Sequence, residues 1–249
     1  FFNFTVMALI IIGGIGFFTW LDIKNNKLHF RRYRMQSKVI LTVTGILIIM
    51  PAVYFFFFEY QSLPMGERIL TSLFQSVTPR TAGFNTTDLT AFSETGQMLI
   101  ILLMLIGGSP GSTAGGMKTT TIAVLVSSAL SVFRKKKDTH FFKRRIPDYT
   151  VKSAASIFLL YIGLFIGGGM IISRLENIPL LPSLFETASA IGTVGLSLGI
   201  TSQLGIVSQF ILIVLMFLGR VGGLTLIFAA MKGTETNVTK YPQEKITVG

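Results

Sequence analysis

Two runs in this chain stay free of charge for the whole width of a bilayer. Val39 to Phe58 has no charged residue over 20 positions, and Ser153 to Ser173 has none over 21. A helix rises about 1.5 Å per residue, so each run can cross about 30 Å of hydrocarbon. Three further segments are apolar: Phe1–Leu21, Gln97–Met117, which Gly and Pro interrupt, and Gln203–Met231, which Arg220 breaks. The first has no basic residues ahead of it and no small-residue cleavage pattern, so it does not read as a signal peptide. Only 13% of the 249 residues are charged, about half the share usual in globular domains. The expected class is an all-α polytopic membrane protein. Absence of cysteine excludes disulfide frameworks and thiolate metal sites.

The formal net charge is +11, which first suggests nucleic acid or anionic lipid. Its placement argues against nucleic acid. Of the 22 basic residues, six lie between Lys24 and Lys38, eight between Arg134 and Lys152, and three beyond Met231. Basic residues confined to loops between apolar runs follow the positive-inside pattern, so these clusters are expected to be cytoplasmic. The stretches 59–96 and 174–202 are then left outside, with six acidic residues and the basic Arg68, Arg80 and Arg174.

Those outer stretches do not read as ordinary loops. After Glu186 the second is uncharged, too short for another pair of spans and too apolar for solvent. A re-entrant segment fits: a short helix down, an extended strand back. Non-helical backbone at membrane depth is tolerated only when buried in protein or lining a water-filled cavity.

An internal repeat supports this. At an offset of 112 residues, Thr81-Ala82-Gly83-Phe84 falls on Thr193-Val194-Gly195-Leu196. Leu103-Met104-Leu105-Ile106-Gly107 falls on Leu215-Met216-Phe217-Leu218-Gly219, and Ser72-Leu73-Phe74 precedes the first motif as Ser183-Leu184-Phe185 precedes the second. Ile12-Gly13-Gly14-Ile15-Gly16 falls on Leu218-Gly219-Arg220-Val221-Gly222. Each unit reads span, short helix, Thr-x-Gly-x strand, span. The chain is expected to begin inside the second span of an earlier unit and to be part of a longer subunit.

A dehydrated potassium ion needs oxygens in place of its water, and a ring of backbone carbonyls supplies them. Carbonyls turn into a pore only at dihedrals most residues avoid; glycine reaches φ > 0 freely. Thr81, Ala82, Gly83, Phe84 and Thr193, Val194, Gly195, Leu196 are therefore expected to bind the ion. The threonines add hydroxyl oxygens, and each pore helix aims its partly negative C-terminus at the cation. As ordinary loops, two four-residue motifs would not be expected to share register with flanking spans.

At these residues the chain resembles the Trk/Ktr/HKT superfamily of potassium transporters, and within it the Ktr-type membrane subunits. The resemblance implies four units around one pseudo-fourfold pore, each giving one filter strand. It divides the chain into 1–21, the end of a second unit; 22–38, a cytoplasmic loop; and 39–133, a third unit. A basic cytoplasmic loop follows at 134–149, then a fourth unit at 150–231 and a cytoplasmic tail at 232–249. In plant relatives, serine for the first filter glycine accompanies sodium conduction, so Gly83 and Gly195 favour potassium. Residence in a bacterial plasma membrane is implied, with a homodimer on a cytoplasmic nucleotide-binding regulatory ring of the KtrA type. Potassium is the transported ion, some relatives are stimulated by sodium, and no cofactor is implied.

Below the filter, Gly107, Gly108, Ser109, Pro110, Gly111, Ser112, Thr113, Ala114, Gly115 and Gly116 interrupt a span. Proline and five glycines destabilise helix there. Gly111 to Thr119 approaches a phosphate-binding loop, but Lys118 comes one place late and no strand precedes it. The remaining readings are a kinked helix held by neighbours and an intramembrane loop that moves for ions to pass; the resemblance implies the second. Arg220 inside a span costs about 2.5–3.5 kcal/mol on insertion scales. It either snorkels or places a positive charge in the pathway, as relatives do at a constriction, and Lys118 is a further candidate for facing the pathway. Gly167-Gly168-Gly169 reads as helix packing, His29 and His140 as surface residues, and Asn85-Thr86-Thr87 as a sequon by pattern alone.

The leading function is a potassium uptake channel or transporter gated by this loop. A less selective or sodium/potassium transporter of the same superfamily is the alternative, and a secondary transporter with discontinuous helices is another class. The repeats run in one orientation, which favours a pore. No paired carboxylates within a span, histidine cluster or nucleophile motif suggests an enzyme.

Overall fold

The computed structural model describes residues 2–27, 29–136 and 138–222. The end of the expected fourth unit, to Met231, and the tail 232–249 lie outside the described residues.

The long uncharged runs form the long helices. Helix α3 is Met35–Tyr54, extended by a π-helical turn, Phe55–Glu59, and α7 is Asp148–Glu176. Both are long and apolar enough to cross a membrane. Their outward faces are apolar, with Ile49 and Met50 of α3 and Leu159 and Met170 of α7 exposed, which suits lipid rather than water. Helix α7 stops at Asn177, whose left-handed conformation (φ 53°, ψ 37°) ends a helix at low cost.

The re-entrant segments are helical for about 20 Å each, too short to span. They are α4 (Met65–Val77) and α8 (Leu180–Ile191). Helix α8 is buried from Phe185 through Ile191, because α5 (Glu94–Leu105), α7 and α9 (Ile206–Val221) surround it. Ala188, Ser189 and Ala190 keep it slim enough for that. Helix α4 packs on α3 and on α1 (Phe2–Ile15). Thus α1 stands to α4 as α5 stands to α8.

Helices α1, α5 and α9 end beside one another, linked by Ser109 N to Gly14 O and Gly116 N to Gly219 O. Helix α1 ends at Ile15, and α2 (Phe17–Asn26) leaves at 95°. The sequence reading carried this span on to Leu21, because Phe17, Phe18 and Trp20 prolong the apolar run. The bend turns on Gly16, at φ 88°, ψ 147°. Its aligned residue Gly222, after α9, has φ 89°, ψ 140°, a region in practice open to glycine alone. Helix α5 ends at Leu105, and the span resumes as α6 (Thr119–Phe133).

The basic segment after α6 holds a small hairpin that the sequence reading did not include. Strands β1 (His140–Phe141) and β2 (Arg144–Arg145) are antiparallel, joined by Phe142 and Lys143, both at positive φ, as a tight two-residue turn requires. Asp22 ties α2 to α3 by accepting from Arg34 N (2.9 Å) and Ser37 Oγ (2.6 Å).

Candidate functional site

Near the C-terminus of each short helix, α4 and α8, one hydroxyl residue clasps the strand that follows. Thr78 closes α4: its carbonyl accepts from Ala82 N (3.3 Å) and Gly83 N (3.2 Å), and its hydroxyl donates to Phe84 O (2.5 Å). Ser189 serves α8: its carbonyl accepts from Val194 N (2.8 Å), and its hydroxyl accepts from Gly195 N (3.1 Å). Thr78 and Ser189 were not singled out from sequence. The signal was a hydroxyl near the C-terminus of both pore helices.

Positive φ was expected at the glycines and is found there, 71° at Gly83 and 95° at Gly195. The threonines share it, 60° at Thr81 and 50° at Thr193, while Ala82 and Val194 do not. A β-branched residue at positive φ is strained by about 1–3 kcal/mol and persists only where its surroundings enforce it. Alternating the hand of successive residues turns their carbonyls toward one side, the arrangement a ring of ion ligands needs. The Thr193 hydroxyl oxygen is buried and has no hydrogen-bond partner among the described residues.

The two strands meet. A Cβ on Gly83 would overlap the carbonyl oxygen of Val194. The Thr193–Leu196 strand opens onto a cleft of about 560 Å³ that Glu186, Met216 and Arg220 also line. The other strand, at Thr81 and Ala82, borders a cavity of about 90 Å³ with Gly14, Arg80, Thr113 and Ala114.

Glu186 is another residue the sequence reading passed over. It is 4% exposed, and its carboxylate accepts from Ser197 Oγ (2.7 Å), Leu198 N (3.1 Å) and Thr201 Oγ1 (2.7 Å). It thereby braces the chain that leaves the Thr193–Leu196 strand, and the signal was a single acid in the otherwise uncharged α8. Arg80, counted from sequence as an outer basic residue, is 5% exposed and donates to Thr44 Oγ1 at 3.4 Å. Beyond the third-unit strand, Tyr60 shares a 3.1 Å hydrogen bond with Thr87. Burial pushes its phenol up to about 12, so it stays neutral across the physiological range.

Residues 106–118 form an ordered loop under the strands. Its ends close on each other through Gly107 N to Met117 O (2.8 Å) and Thr119 N to Gly108 O (3.2 Å). On the α1 side, Ser109 N donates to Gly14 O (2.9 Å) and Phe17 N to Gly111 O (3.1 Å); on the α9 side, Gly116 N donates to Gly219 O (3.2 Å). The loop presses on the strand that begins at Thr193: a Cβ on Gly115 would overlap Thr193 Oγ1. Two cations hold consecutive carbonyls, with Arg220 Nη1 donating to Thr113 O (2.7 Å) and Lys118 Nζ to Ala114 O (2.6 Å). The fold thus brings the two Thr-x-Gly strands, the 107–116 segment, Lys118 and Arg220 into one neighbourhood.

Comparison with known proteins bears on what this arrangement does. A sequence profile of the TrkH family, described as a cation transport protein, matches residues 1–240. The Ktr system potassium uptake protein B of Bacillus subtilis (strain 168) is 36% identical over 258 residues, covering 99% of this chain and 56% of that protein. The potassium/sodium uptake protein NtpJ of Enterococcus hirae is 38% identical over 256 residues, covering 98% of this chain and 56% of that protein. The chain therefore spans about half the length of the curated relatives it matches. The crystal structure of the potassium transporter TrkH from Vibrio parahaemolyticus shares the fold, with a TM-score of 0.75 at 19% identity over 92% of this chain and 52% of that one.

Proposed function

The chain belongs to the TrkH family of cation transport proteins, and on that premise we propose that it forms part of the pore of a potassium uptake system in a cell membrane. The Thr81–Phe84 and Thr193–Leu196 carbonyls select the ion, and the 107–116 loop gates its passage. One observation carries this reading. Two strands of alternating hand, fixed by Thr78 and Ser189, meet directly above a loop held by Arg220 and Lys118. The strands offer oxygens to a dehydrated cation. The loop offers an obstacle and two positive charges in its path. Two further units complete a pseudo-fourfold ring in the whole subunit.

A looser monovalent selectivity is the second reading, favoured by the name of the Enterococcus relative, a potassium/sodium uptake protein. The partners proposed with the leading reading are a second copy of the subunit and a nucleotide-binding regulatory ring on the basic face, with sodium as a candidate activator. Three relatives are named as parts of a Ktr system, which supports a multi-subunit assembly.

The test is flux through the complete subunit in sealed vesicles under a potassium gradient, with sodium as competitor. Uptake of rubidium or potassium that excess sodium does not inhibit is expected. Equal flux of sodium overturns the leading reading in favour of the second. Absence of flux that persists after the 107–116 loop is shortened overturns both.

A further inference from the structure

A second cavity, of about 400 Å³, reaches the loop from the side. It lies between α3, α6 and α7, beside the β1–β2 hairpin, and Val39, Val124, Ile146, Ala154 and Ile157 make its lining predominantly apolar. Pro110 of the loop also lines it. The adjoining Gly111 carbonyl accepts from Phe17 N (3.1 Å) at the α1–α2 bend. Whatever fills the cavity therefore touches a part of the loop that is fastened on its other side. The volume falls within the range of about 300–1,000 Å³ typical of small-molecule sites.

Two features define the occupant. The long helices that line the cavity carry exposed apolar side chains, Ile46 on α3 and Leu159 on α7, faces that suit acyl chains rather than water. The segments that adjoin the lining are basic: residues 31–38 and 143–152 hold eight Lys or Arg and one acid, Asp148, and of the eight, Arg34 pairs with Asp22 and Arg145 with Asp138. Lys38 and Lys152 adjoin lining positions in sequence, and Arg144 sits on the hairpin. Basic pockets between spans suit anionic headgroups.

We propose that this cavity holds one acyl chain of an anionic phospholipid, with the headgroup on the basic rim and the chain end against Pro110. The lipid thereby biases the loop, and this second part rests on the loop being the gate. The site itself does not depend on that reading.

The experiment incorporates a phosphatidylglycerol with a photoactivatable acyl end into vesicles containing the complete subunit. Irradiation is expected to label Pro110 and residues 121–124. Val124→Phe, which fills the cavity, is expected to abolish the label. Lys152→Gln, at an exposed position and with no cost to folding, is expected to reduce it. Label spread evenly over α3 and α7, equal label from a photoactivatable phosphatidylcholine, or protection of the cavity by a second copy of the subunit overturns the site. Flux is measured in parallel. Replacing phosphatidylglycerol by phosphatidylcholine is expected to change it about fivefold in the unaltered protein, the lower end for coupled sites, and not in Val124→Phe. If flux ignores the lipid but rises when the loop is shortened, the coupling is overturned and the gate reading stands. If flux ignores both, the gate reading itself has failed.

Discussion

Gly83 and Gly195 occupy equivalent places under unequal constraints. Both have positive φ, but a Cβ on Gly83 meets the Val194 carbonyl, while one on Gly195 meets nothing within 4 Å. Gly83→Ser is therefore expected to displace the neighbouring strand and lose most flux. Gly195→Ser is expected to keep flux and weaken discrimination between potassium and sodium by about tenfold, equivalent to about 1.4 kcal/mol, through backbone strain alone. Competition of sodium against rubidium uptake separates the two outcomes, and unchanged selectivity in Gly195→Ser counts against the filter assignment. Arg220 is held by the Thr113 carbonyl at 2.7 Å. Removing it takes away both a clamp and a positive charge, so Arg220→Ala is expected to raise flux several-fold; unaltered flux would fit a side chain that merely snorkels. At this scale the glycines were legible because φ > 0 has an obvious residue for it. The threonines at 60° and 50° were not, because β-branched residues disfavour that region and only the clasp from the pore helix enforces it.

The repeated units share hydrogen-bonded details that a fixed sequence offset hides. Glu59, at the outer end of α3, accepts from Ser93 N (3.1 Å) and from the Ser93 hydroxyl at the start of α5. Glu176, at the end of α7, accepts from Gly205 N (2.9 Å) and from the Ser208 hydroxyl at the start of α9. Each first span thus caps the second span of its own unit. Glu176 comes 117 residues after Glu59, five more than the 112 that align the filters. Spans of unequal length, one with a π-helical turn, moved the pair out of register. Their loss leaves helix N-terminal donors unpaired, and Glu59→Ala and Glu176→Ala are each expected to cost about 1 kcal/mol, read as a lower unfolding temperature in detergent. Glu186→Ala strips three donors of a buried acceptor and is expected to cost more, about 1–3 kcal/mol. It is also expected to lower potassium selectivity, because Ser197 and Leu198 follow the filter directly; selectivity that stays intact would confine Glu186 to stability.

Among the described residues, helices α1, α5 and α9 end beside one another, at Gly16, at 106–118 and at Gly222. The long spans and the basic loops were readable because desolvation leaves few places for charge. The 95° turn after Ile15 was hidden because the apolar run continues through it. The loop's fastenings were hidden because their partners, Gly14, Phe17 and Gly219, lie far away in the chain. Those fastenings predict a loop that opens as a unit. Replacing Phe17 by Pro removes the donor to Gly111 and is expected to raise flux with little effect on selectivity; a change in selectivity without a change in flux would place the loop's role in the filter.

Carbonyls of the two Thr-x-Gly strands are expected to bind the permeating ion. Anomalous diffraction from crystals of the complete subunit grown in rubidium locates that ion. Peaks enclosed by the carbonyls of Thr81–Phe84 and Thr193–Leu196, lost when sodium replaces rubidium, are expected. Rubidium bound elsewhere along the axis, with those carbonyls empty, would contradict it.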